Sequence, residues 1–483
     1  MTPFEVIFMC TLGILAYFLI YGIIYKSDVK SYFNCDKQLN KTEFGNSFAA
    51  ASTSLATVLF FFITLGLENG LYILISPLSY LIGILLFNKT ILPKLQKYDY
   101  ANINKSNAIS VGNTLGLFMG ERYNSRLIRM MISFITIIGI VSILLIELYV
   151  GVDIFNIFIK TEYKEIALIL ISIVAFTYTG LGGLNTVVKT DKLQFWFMFI
   201  VASVIIIWLF MQKPTITIKD FFPTPMPLTK GLLLEWPLLF NMIFVNILLI
   251  PSMLRNWQLI SATRDYSEVS KGLMRGFYLT ATISALFIVL GILFFKIFPH
   301  TQVSLNGILI SMASSEDFIV SYIFLPLLFM ACLMALLSTV DSSLLPVVQS
   351  ISTDFIKSNG GRKRYLQITF VMLIITLGLY WIVFKIMGFN LIEWLYTIFS
   401  LVTISSPAII LGCLGNENIL RKKVIKMTVV FATIVGLFLA LLISYIGNKM
   451  GNVWLIQLNT PVATLISSLW IVTTYKLKTH KQC

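Results

Sequence analysis

Thr190-Asp191-Lys192-Leu193-Gln194-Phe195-Trp196-Phe197-Met198-Phe199-Ile200-Val201-Ala202-Ser203-Val204-Ile205-Ile206-Ile207-Trp208-Leu209-Phe210-Met211 opens with one acid and one base and then carries no charge from Leu193 to Met211. About 20 such residues are what a helix needs to cross the hydrocarbon core of a bilayer. Similar apolar windows, bounded by polar breaks, lie near 4–25, 44–67, 71–93, 126–152, 164–182, 190–212 and 236–257, and near 275–298, 317–347, 364–386, 390–415, 425–447 and 454–475. Composition agrees with that count. Of 483 residues 57% are hydrophobic and 12% charged, whereas a soluble domain carries about 25% charged residues. The expected class is therefore an all-α integral membrane protein of about 13 transmembrane helices, and a soluble enzyme is excluded.

An odd number of spans puts the termini on opposite faces. With the amino terminus outside and the carboxyl terminus cytoplasmic, the inner segments hold 28 of the 36 Lys and Arg residues, as the positive-inside rule requires of a plasma (inner) membrane protein. The net charge of +14 then reports topology and calls for no nucleic acid. The run from Met1 to about Tyr25 lacks a basic leader and a small-residue cleavage site, so it reads as an uncleaved multi-pass span. The five cysteines, Cys10, Cys35, Cys332, Cys413 and Cys483, lie far apart and read as reduced thiols. His300 and His480 are the only histidines, too little for imidazole catalysis or a His-rich metal site. No catalytic residue and no organic cofactor are expected.

Ionisable groups deep in a span are costly and read as functional candidates: here Glu147, Asp191 and Asp341. Lys192 beside Asp191 also allows a hydrated, interfacial carboxylate. Small and hydroxylated residues cluster at Ser47–Ser54 and at Ala335–Ser343, where they allow either close helix packing or oxygen ligation. Ala335 lies three residues before Ser338 and four before Thr339, the spacing that puts a carbonyl and a hydroxyl on one helical face. A hard monovalent cation takes several such oxygens, and helices supply them where they unwind.

Tyr178-Thr179-Gly180-Leu181-Gly182-Gly183-Leu184-Asn185-Thr186-Val187-Val188-Lys189-Thr190-Asp191-Lys192-Leu193-Gln194 resembles the Y-T-x-x-G-G-L-x-A-V-x-x-T-D-x-x-Q signature of the sodium:solute symporter family, with Thr186 in place of the usual Ala. Arg255–Gln258 with Ala262–Asp265 is similar to that family's cytoplasmic motif, and Ala335–Leu344 to its A-x-x-S-T-x-D-S-x-L motif. The resemblance covers nearly the whole chain, 1–483, as one membrane transport domain. It implies a leucine-transporter-type inverted repeat (5+5), with repeats at 44–212 and 236–415, an extra amino-terminal helix and loop at 1–43, and two carboxyl-terminal helices and a short tail at 416–483. The first helix of each repeat would be broken, in the small-residue run of the second span and at Pro251 in the seventh.

What the resemblance implies residue by residue is a sodium site from the Ser338 and Thr339 hydroxyls and the carbonyls of Ala335, Ala51 and Ser54; a register shifted by one would select Ala50 and Thr53. Asp191, Asp341 and Ser342 would belong to a second ion site or the exit path, where two carboxylates hold Na⁺ or share a proton. Thr57, Tyr80, Glu147, Asn241, Asn246, Trp394 and Tyr396 are the polar and aromatic candidates for the solute, and Glu147 suits a cationic or hydroxyl-rich one. The expected partners are Na⁺, as the metal and coupling ion, a small organic solute such as a sugar, amino acid or related compound, and membrane lipid. The expected function is sodium-coupled symport by alternating access; a membrane enzyme on a lipid-linked substrate and a non-transporting solute sensor are the alternatives.

Overall fold

The computed structural model describes residues 2–25, 31–60, 62–64, 66, 70–102, 114–158, 164–212, 217–221, 236–298, 305–356, 361–386 and 401–480. Among these, nine helices are long and apolar enough to cross a membrane, or ten if one bent pair counts as a span. The helices are α1 (Pro3–Ile24), α2 (Lys41–Ser52), α3 (Ile75–Leu86), α4 (Leu115–Tyr123), α5 (Arg126–Phe158), α6 (Lys164–Met211), α7 (Trp236–Ser252) and α8 (Leu254–Ala262). They continue as α9 (Tyr266–Ile297), α10 (Leu305–Ala313), α11 (Leu325–Ser350), α12 (Arg362–Tyr380), α13 (Ser406–Leu414), α14 (Lys423–Met450) and α15 (Val453–His480).

The buried centre is α11, whose residues are out of contact with the surroundings along nearly the whole helix. It packs on α6, α5 and α2, and α2 in turn lies along α9. That contact is close because Gly272 and Gly276 lack side chains: a Cβ on Gly272 would sit 2.8 Å from the Phe44 ring, and one on Gly276 2.5 Å from that of Phe48. By contrast α1, α12, α14 and α15 leave large apolar side chains such as Phe8, Phe370, Phe438 and Leu469 exposed. An apolar outer surface of that kind suits lipid.

Three interruptions shape the bundle. The expected pair of spans at 164–182 and 190–212 has no connecting loop; the chain turns within α6 at Gly183, with φ 67° and ψ −168°, a conformation reserved for glycine. The carbonyls left over there are met from elsewhere: Gly180 accepts from the Tyr32 hydroxyl at 2.7 Å and Leu181 from the Arg362 guanidinium at 2.5 Å, while the Leu184 amide donates to the Tyr32 carbonyl at 2.9 Å. The expected span 44–67 is α2 followed, after Thr53 and Ser54, by a wide turn at Leu55–Phe60. The third interruption is at Pro251, as its lost amide demands, and α7 and α8 meet there at 42°. Most of the expected span 390–415 lies outside the described residues.

Candidate functional site

The capping box at Asn40 and Glu43 starts α2, and its buried Ala49, Ala50 and Ala51 bring the backbone close to its neighbours. The helix stops at Thr53 (φ −95°, ψ 66°). Stopping there leaves carbonyls at the end of one half-helix and amides at the start of the next, and buried backbone groups of this kind need partners from elsewhere. Glu147 of α5 fills the amide end: its Oε2 accepts from the Leu55 amide at 3.0 Å and its Oε1 from that of Ala56 at 3.3 Å. Arg255 of α8 fills the carbonyl end. Its Nη1 donates to the Ala51 carbonyl at 2.6 Å and its Nη2 to the Ser52 hydroxyl at 3.2 Å.

The second break is tied by the residues that follow it. Asn256 Nδ2 donates to the Ile250 carbonyl at 3.0 Å and Trp257 Nε1 to the Pro251 carbonyl at 2.7 Å, the two acceptors that the bend sets free. Gln258 Nε2 reaches Gln349 Oε1 of α11 at 2.9 Å. The motif Arg255-Asn256-Trp257-Gln258 thus lies in the second half of a broken helix, and all four side chains are buried.

Asp191 lies one layer along, buried among the helices, while Lys192 beside it is exposed. Its Oδ2 accepts from Ser47 of α2 at 2.5 Å and its Oδ1 from Ser338 of α11 at 2.8 Å, which joins three helices through one carboxylate. Asp341, one turn further along α11, accepts from the Tyr178 hydroxyl at 2.6 Å through Oδ2. Its Oδ1, the Thr179 hydroxyl and both terminal atoms of Gln194 make no well-formed hydrogen bond among the described residues, although Gln194 lies beside Tyr178 and Thr190 beside Asp341. Orphaned oxygens of this kind are rare in folded proteins and mark a place for a water or an ion.

Of the residues the resemblance assigns to sodium, Ala51, Ser54, Ala335, Ser338 and Thr339 are all buried at this crossing of α2 and α11. Their oxygens are already in use in part. The Ala51 carbonyl holds Arg255, Ser338 serves Asp191, and the Thr339 hydroxyl donates back to Ala335 at 3.1 Å. Ser342 reaches the Thr339 carbonyl at 3.5 Å.

The solute candidates scatter. Asn246 donates to the Ser76 carbonyl and to the Ser76 and Ser79 hydroxyls at 3.0–3.1 Å, so it ties α7 to α3. Tyr80 stacks on Phe48 with ring centroids 5.7 Å apart, Asn241 is buried, and Glu147 spans the α2 break. Trp394, Tyr396 and the side chain of Thr57 lie outside the described residues.

Little in the local sequence marks Arg255, Ser47, Tyr178 or Gln194 as part of the site, although Arg255 lies in the stretch that resembles a cytoplasmic motif. The available signal was Arg255 itself, a lone base four residues after a mid-span proline.

No protein-family model matches the chain, and no curated protein does. Solved structures do. A Na⁺-coupled sialic acid symporter, solved in a substrate-bound outward-open state, superposes with a TM-score of 0.74 at 17% identity, over 98% of both chains. A manganese transporter from Eremococcus coleocola superposes at 0.53 and 14% identity, over 93% of this chain and 95% of that one. This chain has a membrane-transporter fold. Both of these solved proteins are transporters rather than enzymes, and among the described residues no group of three or more His, Cys, Asp or Glu side chains could hold a metal ion.

Proposed function

We propose that the protein is a secondary active transporter in which Na⁺ drives the import of a small organic solute by alternating access. The observation that carries this reading is Asp191, a buried carboxylate that receives hydroxyls from two other helices beside the break in one of them. A structural role alone would be served by an uncharged residue at lower cost, because a charge in the membrane must be paired or used. An ion there would steady α2 beside its break, where the solute would also bind, and the affinities for ion and solute would be reciprocal. The membrane potential adds about 2.3 kcal/mol per charge at 100 mV.

The architecture proposed with it is 13 spans in two inverted units, 44–212 and 236–415, with one helix before them and two after. Supporting it, the α2 break and the α7/α8 break fall at corresponding places, early in each unit, where half-helix ends form transport sites. The amino terminus would be outside, on the Lys and Arg distribution.

The test is thermal stability of the purified protein against sugars, amino acids, carboxylates and quaternary amines, in Na⁺ and in K⁺ at equal ionic strength. A solute that stabilises only in Na⁺ is the expected result. Equal shifts in both salts would remove the coupling. Ser338→Ala should raise the Na⁺ concentration needed for half-maximal stabilisation at least several-fold, because Asp191 loses a donor on the α11 side.

A further inference from the structure

Broken-helix transporters aim the main-chain amides freed at a break at the acidic group of their solute. In this chain those amides already hold a carboxylate. Glu147 is buried and comes from α5, 92 residues along the chain from the first amide it meets. Its Oε2 accepts from the Leu55 amide at 3.0 Å and lies 3.4 Å from that of Ala56, its Oε1 accepts from Ala56 at 3.3 Å, and the Ser54 hydroxyl stands beside them. We infer that Glu147 is a specificity-determining residue: its carboxylate takes the place at the α2 break where a solute's own carboxylate would be held, so the solute this protein carries has no acidic group. The inference rests on the transport reading above and adds the class of solute.

The break by itself does not call for a glutamate. Amides at a helix start are served by a neighbouring hydroxyl or side-chain amide, whereas a carboxylate brought into the membrane interior is expensive. What Glu147 adds is occupancy. With both amides engaged, an acid arriving at the break meets no free donor there and a carboxylate in its path.

No base stands by to take the acid instead. Arg255 is the one Lys or Arg buried among the described residues, and its Nη1 and Nη2 are held by the Ala51 carbonyl and the Ser52 hydroxyl on the other side of the same break. The Nε that remains offers a single N–H rather than the two-pronged grip by which arginine takes a carboxylate. Uncharged polyols and amines need neither group.

Matched compounds that exchange a CH₂OH group for a carboxylate, glucose with glucuronate and alaninol with alanine, test this through the thermal midpoint of the purified full-length protein in Na⁺, followed against ligand concentration. On the wild type the non-acidic member of a pair should bind, and the acidic member about tenfold more weakly or worse. Glu147→Ala frees the two amides and should bind the acidic member about tenfold more tightly than the wild type does. An acid that binds the wild type as well as its non-acidic partner does, or a ranking unchanged in Glu147→Ala, would overturn the inference. The expected ranking seen equally in Na⁺ and K⁺ would support it and remove Na⁺ coupling. If neither pair shifts the wild type, acetate decides: at equal ionic strength with chloride it should raise the midpoint of Glu147→Ala and leave the wild type unmoved, with acetamide inert on both, and no effect of acetate on the variant overturns the inference. Should Glu147→Ala not fold, Glu147→Gln, which keeps the shape and returns one amide, takes its place in both comparisons with the same outcomes.

Discussion

At the scale of single residues, the site is a set of charges placed against backbone ends. Glu147 illustrates the physics. A carboxylate that accepts from two amides at a helix start satisfies two donors that would otherwise be orphaned, and hydrogen bonds to charged groups are worth about 1.5–3 kcal/mol. Glu147→Gln keeps the shape but loses the charge and one acceptor, so it should lower the stability of the purified protein by roughly that 1.5–3 kcal/mol, read as a fall in thermal midpoint. An unchanged midpoint would mean that water already serves the Leu55 and Ala56 amides. The sequence singled out Glu147, Asp191 and Asp341 because an acid in an apolar run is conspicuous. What it could not show is which backbone atoms they face, since Leu55 is 92 residues from Glu147 and Ser338 147 residues from Asp191.

At the scale of elements, the breaks after α2 and at Gly183 are held by side chains from other elements, and the one at Pro251 by the half-helix that follows it. Gly183 has a positive φ with an extended ψ, where a Cβ is strained by about 1–3 kcal/mol. Gly183→Ala should therefore destabilise by about that amount, and a neutral result in thermal unfolding would mean that the chain can turn at Gly182 instead. Trp257→Phe keeps the ring but leaves the Pro251 carbonyl without its donor; a cost of about 1–3 kcal/mol is expected, measured the same way. On the loop side, the Lys296 ammonium beside Asp220 holds that carboxyl below the usual carboxylate range. A depressed carboxyl contributes stability above its ordinary pKa and loses it as the pH falls through the lowered value. Asp220→Asn should accordingly flatten the acid side of the stability profile below about pH 4, and an unaltered acid limb would dismiss the contact. The break at Pro251 was legible because proline removes an amide. The one at Gly183 was legible only as an end of a span, because a glycine run permits a sharp turn or a loop equally well.

At the scale of the whole molecule, α4, α5 and the end of α11 meet at an ion pair whose carboxylate, Asp354, is buried and whose guanidinium, Arg129, is partly exposed. Asp354 accepts from Thr114 and Ser133 at 2.7 Å and from Arg129 Nε at 3.1 Å, and Arg129 also donates to the Thr353 carbonyl. Removing Asp354 leaves the buried Thr114 and Ser133 hydroxyls and a partly buried guanidinium without their acceptor, so Asp354→Ala should cost about 1–3 kcal/mol and loosen that end; an unchanged thermal midpoint would mean that water replaces the carboxylate. The sequence by itself determined that the chain lives in lipid, that it is helical and how its polar residues are spaced, because hydrophobic length and helical period are properties of adjacent residues. It also carried the likeness of its motifs to a transporter family, and the solved structures share the transporter fold. Tertiary structure alone decided that Arg255 would stand on Ala51 and that Asp191 would join α2 to α11. Those contacts are set by how broken helices cross, and where two helices cross depends on packing over the whole bundle rather than on any local run of sequence.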